Sequence, residues 1–448
     1  MVALLLGMVR IGNKSLWFDE AISAEFAHRS LRRLVPVITG GDPNMALYYV
    51  LLNLWRRLFG GSELALRSFS AVAGAAAVVA IYVLGTRLLG RRGGVIAALF
   101  LALNPFMLEY AQTARGYTLV ACLVTVSCWL FVIELERPTL AARVGFVVVS
   151  ALAVYAHYFA ALVLLAQLGT LVVLRRRFAI TPTRLTMVVG VVALCLPAVV
   201  FARAGGTGRI DWIPPLTLWG VLTVVVKHAG RSVVLVAAFG AATAWATRRL
   251  LLVRGASSAF AQQEWRVGFL LAWLVVPFAV ALLVSLRRPL FLAQYLIVCV
   301  PALCLLTAAW LSALEPRRWS TPLLVLLLVL PLVRVYTIYR YPGDERWRAL
   351  EAYVAPQLRD GDRVVFYPKW AGVPYDYYAR RRWDAQPVQP RLTDSDSARR
   401  LWLVVRDPDA NRLRADFILA RTALANDRIG ARRIAFGDVS VELLERVP

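Results

Sequence analysis

The sequence predicts an all-α polytopic membrane protein with a small C-terminal α/β domain. Three observations carry this expectation. The 448 residues are 59% hydrophobic with a mean hydropathy of +0.63, more apolar than a soluble chain of this length. Apolar runs with few charges recur, many near 20 residues, the length a helix needs to cross a bilayer. After about residue 339 the runs stop, and short strand-like and helix-like stretches alternate.

The first segment, Met1–Ile11, is apolar but short and lacks a small-residue cleavage site. It reads as a short first helix, or the true start lies upstream. Further spans are expected at 65–88, 93–108, 117–133, 143–157, 159–174, 185–203, 231–247, 266–286, 291–313 and 320–338, about 11 in all. The division falls at 1–338 for the transmembrane domain and 339–448 for the α/β domain. Between the first two spans, the loop 13–64 carries apolar residues at helical spacing over Ala21–Val35 and Met45–Phe59, which suits helices lying in the interface. Gly40-Gly41-Asp42-Pro43-Asn44 reads as the turn between them. In the last hundred residues, Trp347–Leu358 and Arg412–Asn426 read as helices. Asp362–Tyr367 and Leu401–Val405 read as strands, and Ile434–Arg446 as a hairpin around Gly437-Asp438.

Net charge is +24, yet residues 340–448 hold 20 Arg and Lys against 16 Asp and Glu, so most of the excess lies among the spans. With 11 spans, the loops bearing Arg87, Arg91 and Arg92, then Arg137 and Arg143, then Arg175–Arg177 and Arg184, then Arg248, Arg249 and Arg254, then Arg317 and Arg318 all fall on one side. The positive-inside rule makes that side cytoplasmic. The chain is then a multi-pass protein of the plasma (inner) membrane, with Asp19-Glu20, the loop 104–116, His157-Tyr158, the loop 203–230 and the α/β domain outside. Basic residues set between apolar spans suit membrane lipid head groups and phosphates rather than nucleic acid. The five cysteines lie in apolar runs and read as buried hydrophobes, and three histidines are too few for a His-based metal cluster. No Gly-rich phosphate loop is present, so no nucleotide is expected.

Five stretches on the outer side can carry chemistry. In Asp19-Glu20, a carboxylate at the edge of hydrocarbon is costly. It suits a general base or a metal ligand, and equally a helix cap at Asp19. Asn104–Tyr117 holds Glu109, Arg115 and Tyr117 after a helix-ending Pro105. Arg115 suits a phosphate oxygen, and an aromatic belt anchored by an Arg is the plainer account. His157-Tyr158 breaks two spans without a charged loop and suits a packed or capping His. The loop Gly205–Pro215, followed by Lys227, His228 and Arg231, suits a gate with phosphate-attracting cations, or snorkelling side chains. Arg287-Arg288, before Gln294-Tyr295-Leu296, runs against the charge bias and so favours a phosphate partner.

Read together, these motifs resemble glycosyltransferase family 39, the GT-C relatives of the protein O-mannosyltransferases. Leu16-Trp17-Phe18-Asp19-Glu20 resembles the family's Trp-x-Asp-Glu element. Asp42-Pro43 with Leu47-Tyr48-Tyr49, Leu64-Ala65-Leu66-Arg67, Pro105-Phe106, Tyr110-Ala111-Gln112 with Ala114-Arg115-Gly116-Tyr117, His157-Tyr158, and Tyr295-Leu296 with Pro301 follow in the family's order, from Leu16 to about Leu314. Three places depart. Asn44-Met45-Ala46 stands for His-Pro-Pro. Thr113 replaces an acid, with Glu109 one turn earlier, and Gln294 replaces an Arg, with Arg288 nearby.

The resemblance implies a GT-C fold and a polyprenyl-phosphate sugar donor. It also implies an acceptor hydroxyl on a glycan, lipid or protein outside the cytoplasm, and an inverting single displacement. It implies Asp19 as base and Arg115, Tyr117, Arg288 and Tyr295 at the donor phosphate. Glu20, Asp42 and Glu109 serve the acceptor or a metal; Mg, Mn or Zn would be held by Glu20 and Glu109. His157, Tyr158, Lys227 and Arg231 complete the candidate set. A polyprenyl-linked sugar carrier or flippase, and a glycan-binding export scaffold, are the readings that need no carboxylate base.

Overall fold

A computed structural model describes residues 1–40, 43–175, 177–204, 213–253, 258–314, 317–341, 343–382, 399–406, 428–430 and 433–446. In chain order the helices are α1 (Val2–Met8), α2 (Phe18–His28), α3 (Leu31–Gly40), α4 (Ala46–Phe59), α5 (Glu63–Leu103), α6 (Pro105–Ala111), α7 (Tyr117–Glu136), α8 (Leu140–Ala156) and α9 (Ala160–Val173). They continue as α10 (Pro182–Ala204), α11 (Leu218–His228), α12 (Val233–Val253), α13 (Ser258–Ser285), α14 (Val300–Ala313), α15 (Arg317–Arg340), α16 (Trp347–Val354) and α17 (Gly372–Arg382). The strands are β1 (Arg363–Tyr367), β2 (Arg400–Arg406), β3 (Arg428–Gly430), β4 (Ile434–Phe436) and β5 (Val439–Arg446).

The chain is mostly helical, and seven of its described helices are long and apolar enough to cross a membrane. Three shorter apolar helices, α8, α9 and α11, accompany them. The chain is an integral membrane protein. The 41-residue α5 is two helices joined at Gly90, whose φ of 79° suits glycine alone among ordinary residues. The halves pack back to back there. A Cβ on Gly85 would meet the Gly94 backbone at 2.9 Å, so only small residues fit the crossing.

Several expected elements shift. The span expected at 93–108 stops at Leu103, because Asn104 caps a new helix that starts with Pro105. The helix expected over Ala21–Val35 is two helices, α2 and α3, separated at Ser30. Its carbonyl accepts the first bonds of α3, from the Arg33 and Leu34 N–H groups. The expected outer loop 203–230 contains α11, started by the Thr217 hydroxyl on the Gly220 N–H at 3.0 Å. The expected helix Arg412–Asn426 lies outside the described residues.

Two compact units emerge. The first comprises 1–9, 29–58 and 65–340, and the second 10–28, 59–64 and 341–448. The pieces 10–28 and 59–64, which the sequence reading grouped with the spans, thus group with the C-terminal residues. Hydrogen bonds explain it. The Leu16 N–H donates to Tyr378 Oη (2.7 Å), and Arg348 Nη2 donates to Glu63 (2.6 Å) and to the Gly12 carbonyl (3.0 Å).

Within the second unit the sheet runs β1-β2-β5-β3, with β4 also on β5. β1 and β2 are parallel and the other pairings antiparallel. β4 and β5 form the expected hairpin at Gly437-Asp438. β2 is buried on both faces. Trp402 and Val404 join Trp347, Leu350 and Tyr375 in one cluster, while Leu401, Leu403 and Val405 join Val365 and Leu444 in the other.

Candidate active site

In the first unit, α7 organises both ends of the bundle. Its 20 residues span about 30 Å at 1.5 Å per residue, the thickness of a hydrocarbon core. At its C-terminal end Glu134 pairs with Arg143 (3.1 Å) and Arg184 (3.7 Å). Glu136 there pairs with Arg87 and Arg266, both at 2.9 Å. Arginines from α5, α8, α10 and α13 therefore converge on one end.

Arg115 stands at the other end, just before α7, and is nearly buried. Its Nη1 donates to Tyr49 Oη at 3.1 Å, and its guanidinium lies 5.9 Å from the Tyr117 ring centroid. Ser70 Oγ donates to the Arg115 carbonyl (3.1 Å) and lies 3.1 Å from Tyr48 Oη. Gly116 admits this approach, since a Cβ there would sit 3.0 Å from Tyr48 Cβ. α7 begins two residues after Arg115, and its helix dipole favours an anion at that end.

His157 ends α8 in the break before α9. Its ring packs on Tyr117 (5.8 Å) and Tyr295 (5.0 Å). The Phe159 N–H donates to Nδ1 (3.2 Å), and Asn44 Nδ2 lies 3.3 Å from Nε2. Asn44 Oδ1 accepts from the Tyr158 N–H at 3.1 Å. His157 is a strut that joins Asn44, the α8–α9 corner and Tyr295.

The aromatic row continues from Tyr117 through Tyr110 (4.7 Å) and Phe106 (5.0 Å) to His228 (5.0 Å). Asn104 caps α6 with Oδ1 and donates from Nδ2 to the His228 carbonyl at 2.9 Å. α11 closes with paired bonds from Gly230 N–H to Lys227 and from Arg231 N–H to Val226. Gly230, at φ 60°, leaves no room for a Cβ against Pro105. His228 thereby marks the head of an apolar cavity of about 860 Å³ between α11, α12, α13 and α14, lined by Phe239, Thr243, Leu274 and Phe278 among others.

In the second unit, Asp19 and Glu20 lie in the first turn of α2. The helix starts at Phe18, so Asp19 is not its cap. Glu20 Oε2 instead accepts from the Trp17 N–H at 3.3 Å, and Glu20 is buried. The α2 start is clamped from the C-terminal part of the chain. Glu345 Oε2 accepts from the Phe18 N–H (3.2 Å) and Trp347 Nε1 (2.7 Å), and Oε1 accepts from Arg406 Nη2 (2.7 Å). Arg406 also covers the Trp370 ring at 4.6 Å, and Trp370 packs on Phe18 at 4.4 Å.

Of the residues singled out in sequence, Arg115, Tyr117, His157, Tyr158 and Tyr295 are linked in this first-unit cluster. Glu109, on α6, is exposed, and its carboxylate has no partner among the described residues. Arg288 and Arg231 are exposed and Lys227 half-buried, and no described side-chain contact joins them to Arg115. Asp42 lies outside the described residues, as does most of the loop Gly205–Pro215. Asp19 and Glu20 belong to the other unit. Among the described residues no three His, Cys, Asp or Glu side chains stand together to hold a metal ion. Asn44 and Tyr49 are the partners that sequence reading passed over. Both sit inside quoted motifs, but neither carries a charge to draw attention.

The arrangement of helices is that of the GT-C membrane glycosyltransferases. ArnT from Cupriavidus metallidurans bound to undecaprenyl phosphate superposes with a TM-score of 0.62 at 15% identity, covering 99% of this chain and 96% of that one. Its apo form gives 0.65 at 14% identity with the same coverage. The archaeal oligosaccharyltransferase AglB from Archaeoglobus fulgidus, in complex with an inhibitory peptide and a dolichol-phosphate, gives 0.55 at 12%, covering 98% and 73%. Residues 43–201 match the family described as dolichyl-phosphate-mannose-protein mannosyltransferase. The resemblance read from the sequence holds. No curated protein matches the chain.

Proposed function

We propose that this chain transfers a sugar from a polyprenyl-phosphate donor to an acceptor hydroxyl on the extracytoplasmic side of the membrane. The observation that carries the reading is Arg115. A buried guanidinium at the start of a membrane-spanning helix, inside the family-matching stretch, suits a phosphate. A row of aromatic rings links it to the head of the apolar cavity at His228, which suits an isoprenoid tail. The convergence of Arg87, Arg143, Arg184 and Arg266 at the opposite end of α7 supports placing that end in the cytoplasm.

In this reading the acceptor oxygen attacks the anomeric carbon as its proton passes to the Asp19 carboxylate. The bond from that carbon to the phosphate oxygen breaks, and its electron pair leaves with polyprenyl phosphate. The sugar inverts. Arg115 and the first N–H groups of α7 stabilise the charge on the departing phosphate. The acceptor is a glycan, a lipid or a protein, and no step needs a nucleotide.

The test is a donor screen with the purified full chain, several polyprenyl-phosphate sugars and candidate acceptors, reading release of polyprenyl phosphate. Release with at least one donor is expected, and Asp19→Asn should abolish it while leaving the thermal transition in place. Tight donor binding without release under every acceptor would mark a carrier instead.

A further inference from the structure

A second apolar groove lies apart from the cavity at His228. It runs between α7, α8, α9 and α10, has a volume of about 310 Å³, and is lined by Phe131, Phe146, Leu168, Met187 and Val191 among others. Leu168 and Val192 on its rim are 40% and 61% exposed, so it opens on surfaces that hydrocarbon would bathe. Gln167 lines it too, but its amide nitrogen is spent on Ser127 and Cys128.

One end of the groove is charged. Glu134 and Arg184 line it there. Arg184 is spent on Glu134 and on the Ala179 and Glu134 carbonyls. Arg143 reaches Glu134 only through Nε, and its two terminal nitrogens have no partner among the described residues. Two arginines thus face one carboxylate. Arg175 and Arg177 follow α9 directly in its connection to α10, at the same end. An apolar trough with a net cationic mouth matches an acyl chain beneath an anionic head group.

We infer that this groove binds an anionic phospholipid, its acyl chain between α8, α9 and α10 and its phosphate at Arg143. The site does not depend on the sugar-transfer reading. The occupant is a resident lipid rather than a substrate, since the charged end of the groove is the arginine-rich end of α7, opposite Arg115.

The full chain, delipidated in detergent, is titrated with phosphatidylglycerol or with phosphatidylcholine of the same acyl chains, and retained lipid is counted by native mass spectrometry. One phosphatidylglycerol should be held at least fivefold more tightly than phosphatidylcholine. Arg143→Gln should bring the ratio close to one. Leu168→Trp and Val192→Trp, at exposed positions that spare the fold, should each fill the groove and lose the bound lipid. Equal retention of the two lipids by the wild-type chain would overturn the inference. So would unchanged retention in both tryptophan variants with unaltered melting.

Discussion

Arg115 keeps its charge while nearly buried because oxygen and ring electrons surround it. Tyr49 accepts one N–H and the face of Tyr117 takes another side. Tyr49→Phe removes one hydrogen bond worth about 1 kcal/mol, so kcat/KM for donor turnover should fall roughly fivefold. Arg115→Gln should cost at least about 100-fold, since the stabilising charge itself is lost. Both are read in the polyprenyl phosphate release assay, and a smaller loss for Arg115→Gln than for Tyr49→Phe would refute the assignment.

At the scale of elements, the adjacent acids at 19 and 20 divide by helix geometry. Glu20 turns back to the Trp17 N–H and starts α2, while Asp19 lies beside it in the same turn. Glu20→Ala should lower stability by about 1 kcal/mol, whereas Asp19→Asn should affect turnover and not melting. The α11 terminus makes a second case. Gly230 holds a left-handed conformation and presses Pro105 at the start of α6. Gly230→Ala adds a methyl group with no room and a strained φ together. The thermal transition should fall by several degrees, with donor affinity falling too, because α6 and His228 lose their common seat. An unchanged melting curve would mean that α6 moves freely.

At the scale of the whole molecule, ion pairs fix long-range partners in each unit. In the first, Glu134 and Glu136 gather arginines from four helices. These basic residues stitch the helix ends together. In the second, Glu345 is 5% exposed and joins Phe18, Trp347 and Arg406. Arg406→Leu leaves that carboxylate buried without its cation, a loss of roughly 3 kcal/mol. Limited proteolysis should then open the second unit before the helices of the first. Equal protection in variant and wild type would show that Glu345 does not need Arg406.

Much of this protein follows from local sequence. Apolar runs of bilayer length set the helices, and breaker residues such as Pro105 and Gly90 set where they stop. The motif order from Trp17 to Tyr295 marked a GT-C chain, because residue types at fixed places along the chain survive without tertiary information. Other features follow from residues that meet only in the fold. Asn44 and Tyr49 look like ordinary loop and helix residues until the fold sets them against His157 and Arg115, more than 60 positions away. α11 lay hidden because its 11 residues are too few to signal a span and the preceding Ile213-Pro214-Pro215 reads as loop. The grouping of 10–28 with the C-terminal sheet rests on the Glu345, Arg348 and Tyr378 hydrogen bonds, which join residues over 280 positions apart. Composition and periodicity report on neighbours within a few turns. Which distant polar groups satisfy one another is decided only when the chain closes on itself.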